Sequence, residues 1–399
     1  MNFIFISPQF PKTYWNFCDR LKQRGVRVLG IGDTPYDELD QHVKASLHEY
    51  YRVGNMENYD EMYRAVAYFA FRYGRIDWIE SNNEYWLEQD ARLRTDFHVT
   101  SGYQLDEVQE IRHKSRMKKY YAQAGIPSAR WHMVHNDQSD RDFIEMVRYP
   151  IIVKPDSGVG AAATYRLNSD ADLERFYAER PDVPYIMEEF IPGIIISYDG
   201  IMNSHKEVLF DTSHIFPMPI MDVVNTQDHL LYYSAKCIDP RLRELGQKAI
   251  QAFPCRSRFF HFEFFKLAED KEGIGKKGDY IGLEVNMRPP GGYTPDMMDF
   301  ANDADVYSIW ADMIVRDDTD FQVPQERPYV CVFASRRDAH SYVHGHEEIM
   351  EKYGSHIVME ERMPLALADA MGNQMYTANF ETAAEADAFA AFVQLQKGA

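Results

Sequence analysis

Alternating apolar and polar residues divide the first part of the chain into strands and helices. Apolar runs at 3–6 and 26–31 predict two buried strands, and the stretch between them has helical spacing. A second helical pattern ends at Gly74 and precedes an apolar run at 76–79. This strand-helix-strand order predicts an open α/β domain over 1–110.

Beyond this domain the patterns predict three further segments. A helix near 113–125, followed by short strands, predicts a small α+β lobe over 111–193. Longer strands with one helix predict a larger lobe over 194–322, and a β-α-β-β-α order predicts a C-terminal α+β module over 323–399. The strands expected in the two lobes are 131–134, 151–154, 164–167, 185–190, 194–201, 207–211, 230–235, 258–267 and 280–286.

The charge balance narrows the classes of partner. The chain has 43 Lys plus Arg against 62 Asp plus Glu, a formal net charge of −19. Such a surface repels phosphate backbones and anionic membranes, so neither nucleic acid nor a membrane is expected as a partner. An anionic small substrate would have to be held by individually placed Lys and Arg residues.

Cysteine usage and the N-terminal residues bear on location. The four cysteines are widely spaced without a CxxC pair, so neither a disulfide framework nor a structural zinc site is predicted. The opening residues lack a basic stretch, and no apolar run reaches the ~18 residues that span a bilayer. We therefore expect a cytoplasmic protein.

A lysine-bearing strand enters a loop of small residues at 151–164. Lys154 ends the apolar strand, and the loop that follows contains Gly158, Gly160, Ala161 and Ala162. Small side chains let backbone N–H groups approach phosphate oxygens, and the lysine ammonium supplies a positive charge. The alternative interpretation is a turn beside a surface lysine.

Two later strands carry acidic and amide side chains at alternate positions. His261, Glu263 and Phe265 share one face of their strand, and Glu284 and Asn286 share one face of theirs. On this alternation, Ile281, Leu283 and Val285 are expected on the opposite face. The oxygen-rich set suits Mg²⁺ with nucleotide phosphates, whereas the alternative is a solvated polar edge.

Two flanking segments add binding groups. Arg288 follows the second acidic strand and has the geometry to hold a carboxylate or acyl phosphate, with backbone donors at Gly291 and Gly292. The apolar strand at 185–193 ends in acidic residues, of which Glu188 could accept a hydrogen bond from an adenine amine. Each segment alone also fits an ordinary turn or a solvated strand end.

In their order along the chain, these segments resemble the ATP-grasp superfamily, in particular its carboxylate–amine ligase and biotin-carboxylase-like branches. The resemblance covers roughly residues 1–320 and includes the helix that begins with His113 and Lys114. It implies an ATP-grasp fold with an N-terminal open α/β domain and a small C-terminal α+β module, and it implies ATP and Mg²⁺ as cofactors.

The resemblance also assigns roles to residues. It implies phosphate contacts for Lys114 and Lys154 and a loop at 156–163 that closes over the phosphates. The remaining assignments are adenine recognition by Glu188, Glu189 and Ile191, an adenine sandwich between Ile152 and Phe265, a metal site of Glu263, Glu284 and Asn286, and acyl-phosphate stabilisation by Arg288. One departure is Ile195, which stands where such proteins usually carry a glutamate for the ribose.

The expected function is therefore an ADP-forming ligase. It would activate a substrate carboxylate as an acyl phosphate and join it to an amine, with both substrates being small molecules. The alternatives are a bicarbonate-using enzyme related to carboxylases or carbamoyl-phosphate synthases, and a nucleotide-binding protein without catalysis. A homodimer is left open.

Two further segments have alternative interpretations. The aromatic and Met-rich stretch 212–236 either lines the acceptor pocket or packs in the core. The pair Arg336 and Arg337 either reaches the active site or lies on the surface.

Overall fold

The computed structural model describes residues 1–158, 163–218, 223, 226–324 and 326–398. The strands within these residues form three sheets. The parallel N-terminal sheet has the order β3-β2-β1-β4, and its predicted strand-helix-strand unit is present. Its strands are β1 (Asn2–Ile6), β2 (Arg27–Gly32), β3 (Glu49–Arg52) and β4 (Trp78–Glu80), and the helices of this region are α1 (Trp15–Gln23), α2 (Gln41–Ser46), α3 (Tyr59–Tyr73), α4 (Leu87–Asp96) and α5 (Leu105–Arg112).

A small antiparallel sheet follows helix α6 (Lys114–Gln123) and has the order β5-β8-β6-β7. Its strands are β5 (Trp131–Met133), β6 (Ile151–Pro155), β7 (Tyr165–Leu167) and β8 (Tyr185–Glu189). Two helices that the sequence patterns did not predict, α7 (Gln138–Val147) and α8 (Asp170–Glu179), contribute apolar side chains to one core with β6 and β8. The opposite face of β6 and β8 carries Ile152, Lys154, Ile186 and Glu188.

The largest sheet has the order β14-β13-β9-β11-β12-β15-β17-β16, with β10 paired to β9. Its strands are β9 (Gly193–Met202), β10 (Val208–Thr212), β11 (His214–Phe216), β12 (Leu231–Ser234), β13 (Arg258–Leu267), β14 (Tyr280–Asn286), β15 (Val330–Arg336), β16 (Ile357–Arg362) and β17 (Gln374–Phe380). The helices of this region are α9 (Pro240–Ala252), α10 (Thr294–Asn302), α11 (Val306–Arg316), α12 (His346–Tyr353), α13 (Leu365–Met371) and α14 (Ala383–Gln394).

The C-terminal strands differ from their predicted order. Helix α13 separates β16 from β17, so the observed order is β-α-β-α-β-α and the predicted β-α-β-β-α order is wrong at this point. Strand β15 pairs with β12, and the C-terminal strands thereby continue the largest sheet. Helix α13 was missed because seven residues are too few for a helical pattern to be told from a loop.

Packing leaves one face of the largest sheet for the site. Phe262, Phe264 and Val285 point into a core shared with Tyr121 of α6 and Leu245 of α9. Residues that alternate with them point the other way. Within the described part of the chain, no helix is long and apolar enough to cross a membrane.

Candidate active site

Three oxygen-bearing side chains lie on one face of strands β13 and β14. The strands are antiparallel, with Glu263 opposite Glu284 and His261 opposite Asn286. Directly opposite residues share a face and place their Cβ atoms about 5 Å apart. The Glu263 and Glu284 side chains are 15% and 18% exposed, so a small ligand can reach them.

The side-chain oxygens of Glu263, Glu284 and Asn286 suit a divalent ion such as Mg²⁺ whose remaining ligands are phosphate or water oxygens. Carboxylate and amide oxygens are the ligands that Mg²⁺ prefers, and Mg²⁺ commonly keeps phosphate oxygens and waters as further ligands. Among the described residues no group of three or more His, Cys, Asp or Glu side chains is arranged to hold a metal. An ion here would therefore need the Asn286 amide and non-protein oxygens beside the two carboxylates.

A β-bulge next to Glu263 changes the faces of the neighbouring apolar residues. The register shifts between Glu263 and Phe264, so that Phe265 lies opposite Ile281 and Leu283 is the extra residue. Ile281 and Leu283 were expected on the face opposite the acidic residues, and this is wrong. The bulge brings apolar side chains beside the carboxylates, where a purine ring could pack.

Three buried lysines surround the acidic residues. Lys114 Nζ lies 3.6 Å from Glu284 Oε1, and Lys154 Nζ lies 2.8 Å from Glu188 Oε2. Lys118 Nζ lies 2.5 Å from the other oxygen of Glu188, and no role was predicted for it. All three lysines are only 5% exposed. The structure thus concentrates positive charge where the sequence predicted a phosphate site.

The pKa values in this cluster follow from burial and charge. Burial alone would raise the pKa of Glu188, but Lys118 and Lys154 lower it to about 2. Burial lowers the pKa of Lys118, whereas the carboxylates of Glu188 and Glu284 offset burial at Lys154 and raise its pKa. Glu188 is therefore an ionised acceptor at neutral pH.

The residues predicted to recognise adenine divide between two faces. Ile152 lies opposite Glu188 and shares the face of Lys154, as expected from alternation. The Glu189 carboxylate lies on the other face, where Arg130 donates to it at 2.7 Å and 3.0 Å. The structure therefore leaves only the backbone of Glu189 for a nucleotide. Ile191 packs in an apolar cluster with Phe265 and Ile281.

The start of the predicted phosphate loop lies beside the metal-binding residues. Gly158 lines a small cleft together with Glu284, Asn286 and Arg288. Asp156 accepts from the backbone N–H of Ser115 at 2.8 Å and so fixes the loop to the first turn of α6. The predicted phosphate-binding residues Gly160, Ala161 and Ala162 lie outside the described residues.

Arg288 is held by a partner from the N-terminal part of the chain. Its guanidinium forms an ion pair with Glu84 and donates to the Pro289 carbonyl at 2.8 Å. Gly292 has φ 65°, a backbone conformation that favours glycine, and a Cβ there would lie 2.3 Å from the Met371 sulfur of α13, which would have to move. The sequence identified Arg288 but gave no signal for Glu84.

A buried carboxylate network adjoins the acidic residues and was not predicted. Asp199 accepts from His214 Nδ1 at 2.7 Å and from His261 Nδ1 at 2.5 Å, and Ser197 also donates to it. His261 Nε2 lies 3.3 Å from Glu263 Oε1. Burial would raise the pKa of Asp199, but His261 and His214 lower it to about 2; Asp199 and Glu263 raise the pKa of His261 to about 9 against burial.

The expectation of a surface pair at Arg336 and Arg337 is wrong, because both arginines are buried and bind backbone carbonyls. Both also line a cleft with His340 and Glu361, so contact with a substrate stays a prediction. Arg336 donates to the carbonyl of Val393 at 2.6 Å, and Arg337 donates to that of Ala368 at 3.1 Å. These carbonyls belong to the last turns of α14 and α13, where the helix dipole favours a cation. The pair therefore stabilises helix ends.

The stretch 212–236 contributes partly to the core. Phe216 and Tyr232 stack with ring centroids 5.1 Å apart in a buried cluster that includes Ile195. Met218 is exposed, and Met221 of the same stretch lies outside the described residues. Ile195 thus serves packing, and no ribose contact is assigned to it.

No family model matches the chain. Relatives of similar sequence include the carbamoyl phosphate synthase large chain of Pyrococcus furiosus, 22% identical over 219 residues that make up 53% of this chain and 20% of that protein. Another is D-alanine–D-alanine ligase B of Clostridium perfringens, 25% identical over 182 residues, which are 44% of this chain and 57% of that protein. The chain therefore spans less than two thirds of the length of these relatives.

Solved structures resemble the chain over almost its whole length. The L-amino acid ligase from Bacillus licheniformis has a TM-score of 0.74 at 14% identity, covering 98% of this chain and 95% of that one. The biotin carboxylase domain of the Hydrogenobacter thermophilus 2-oxoglutarate carboxylase, in complex with MgADP and bicarbonate, has a TM-score of 0.71 at 14% identity, covering 99% and 90%. At these identities the likeness shows a shared fold.

Proposed function

We propose that this chain, which has the ATP-grasp fold, is an ADP-forming ligase that joins a carboxylate to an amine. The observation that carries the proposal is the shared face of Glu263, Glu284 and Asn286, with Lys114 at 3.6 Å from Glu284 and Arg288 lining the same cleft. The relatives and structural neighbours named above include ligases of this class. ATP and Mg²⁺ are the proposed cofactors.

Each group of residues has a distinct task in the proposed reaction. Lys114 and Lys154 hold the phosphates, and Glu188 accepts a hydrogen bond from the adenine amine. Glu263, Glu284 and Asn286 hold Mg²⁺, which when bound neutralises charge on the transferring phosphoryl group. Arg288 orients the substrate carboxylate by two parallel hydrogen bonds, a geometry that its planar guanidinium provides.

Binding the carboxylate requires Arg288 to exchange one carboxylate partner for another. In the structure Glu84 pairs with Arg288, whose side chain is 13% exposed. When a substrate carboxylate takes over the contact with Arg288, the Glu84 carboxylate would stay close to the bound substrate. Glu84 can then pair with a substrate ammonium group, which suits a substrate that carries both charges, such as an amino acid.

Several features stay predictions within this proposal. We retain the boundaries 1–110, 111–193, 194–322 and 323–399 as domains, which limited proteolysis would test. The homodimer and the cytoplasmic location are likewise predictions, to be tested by light scattering and cell fractionation. The substrates are small molecules, and their identities are left to the assay below.

ADP release across panels of carboxylates and amines tests the reaction. We expect release that requires both a carboxylate and an amine, with a stoichiometric amide product detected by mass spectrometry. Glu263→Gln should abolish turnover, whereas Glu269→Gln, the same change at an exposed position past the end of the same strand, should not. Release that needs bicarbonate instead of a carboxylate, or that needs no amine, would contradict the ligase assignment.

A further inference from the structure

Lys118 is a buried charge that the proposed reaction does not yet use. It lies one helical turn after Lys114 on α6, and its side chain is 4% exposed. Its ammonium contacts Glu188 Oε1 at 2.5 Å, while Lys154 contacts Glu188 Oε2 at 2.8 Å. The Glu188 carboxylate therefore bridges two lysines, one through each oxygen.

The two lysines have different roles once a nucleotide binds. Lys154 lies on the strand that leads into the predicted phosphate loop at 156–163, so we expect nucleotide phosphates to compete with Glu188 for its ammonium. Lys118 sits on helix α6, and its ammonium contacts the Glu188 oxygen that Lys154 does not contact. When Lys154 turns to the phosphates, Lys118 is the remaining cation beside a carboxylate that is 3% exposed.

A carboxylate this deeply buried stays ionised only with a charged partner. Burial disfavours the charged form, and removing one member of a buried ion pair is strongly destabilising. Without Lys118, a nucleotide that engages Lys154 would leave Glu188 without a counter-ion. Glu188 would then take up a proton and become a hydrogen-bond donor as well as an acceptor.

The protonation state of Glu188 decides which purine it accepts. An ionised carboxylate accepts from the exocyclic amine of adenine and repels the carbonyl oxygen that guanine presents at the same position. A protonated carboxyl group donates to that carbonyl oxygen. We propose that Lys118 is a positioning residue that keeps Glu188 an obligate acceptor and thereby makes the site select adenine over guanine nucleotides, an inference that rests on the proposed function.

Binding of non-hydrolysable ATP and GTP analogues with Mg²⁺, measured by calorimetry on the full chain, tests this role. A hydrogen bond to a charged group commonly changes affinity by a factor of about ten or more, so Lys118→Met should reduce the preference for the ATP analogue at least about tenfold. Lys118→Arg retains the charge and should keep the preference. Lys119→Met is the matched control, because Lys119 is the next residue, is 57% exposed and pairs with Glu110.

Glu188→Gln provides a second route to the same result. A neutral amide also offers both donor and acceptor, so this variant should lose the preference without any change at Lys118. In the double variant Lys118→Met/Glu188→Gln, the loss should be no greater than in Glu188→Gln alone, because both substitutions act on one contact. This comparison holds even if Lys118→Met alone does not fold.

The outcomes separate the inference from the function on which it rests. If the wild-type chain binds neither analogue, the proposed ATP-dependent function fails and the inference fails with it. If the wild-type chain prefers the ATP analogue and Lys118→Met or the double variant keeps that preference, only the inference is overturned. It is also overturned if Lys118→Met weakens both analogues equally, since Lys118 would then be a phosphate ligand.

Discussion

Replacing Asp199 with asparagine removes the one carboxylate between two buried imidazoles. Asp199 and His214 are fully buried, and His261 is 6% exposed. The Asp199 pKa of about 2 lies below the ordinary 3.8 because the two histidines stabilise its charge against burial. At about 1.4 kcal/mol for each pH unit, the difference corresponds to about 2 kcal/mol of unfolding free energy. Breaking a buried ion pair costs about 3–5 kcal/mol, so we expect a loss within roughly 2–5 kcal/mol.

The size of this loss depends on pH in a defined direction. The depressed pKa of Asp199 means that its stabilising contribution is present above pH 3.8 and disappears as the pH falls through about 2. The pKa of His261 is raised to about 9, so its contribution is present below pH 6.5 and disappears as the pH rises through about 9. The difference between wild type and Asp199→Asn should be largest between pH 4 and 6.5 and smaller at pH 9.5.

Urea unfolding in the presence of a chelator, followed by circular dichroism, measures this difference at pH 6 and pH 9.5. Asp182→Asn is the matched control, because Asp182 is exposed. This variant should unfold at the same urea concentration as the wild type at both pH values. An Asp199→Asn midpoint equal to that of wild type at pH 6 would refute the reasoning. So would a difference that grows toward pH 9.5.

Three further substitutions follow from single contacts. Burial raises the pKa of Asp296 to about 6, so ionisation of this carboxyl destabilises the folded state as the pH rises above 3.8. Asp296→Asn should therefore stabilise the chain by up to about 3 kcal/mol at pH 8 and hardly at pH 4. Equal melting temperatures of wild type and variant at pH 8 would contradict this. Gly282→Ala places a Cβ 2.7 Å from the Tyr121 ring, so a melt should show a loss of roughly 1–3 kcal/mol, unlike Gly291→Ala, whose Cβ meets nothing within 4 Å. Arg288→Lys keeps the charge but loses the planar fork, and kcat/KM for the carboxylate should fall about tenfold or more; an unchanged value would argue that Arg288 does not bind the carboxylate.

Strand alternation predicted much of the candidate site. Glu263, Glu284 and Asn286 share a face because β13 and β14 are regular on that side of the bulge. The prediction for Ile281 and Leu283 failed because a bulge adds one residue to β14, and nothing in the local pattern marks its position.

Contacts between distant segments are the part that the sequence could not supply. Lys118 and Glu188 are 70 positions apart, and Arg288 and Glu84 are further apart still. Each pair depends on how the helices and sheets pack, which apolar periodicity does not determine. Asp199 offered one weak signal, since Ser197 and Asp199 stand at alternate positions of a strand that is otherwise apolar. Its pairing with His261 could be known only from the structure.

A structure of the full chain with Mg²⁺ and a non-hydrolysable ATP analogue tests the central claim most directly. The account predicts that oxygens of Glu263, Glu284 and Asn286 lie about 2.1 Å from the ion, and that Lys154 contacts phosphate while Lys118 stays on Glu188. A nucleotide bound elsewhere, or an ion held without either glutamate, would contradict it.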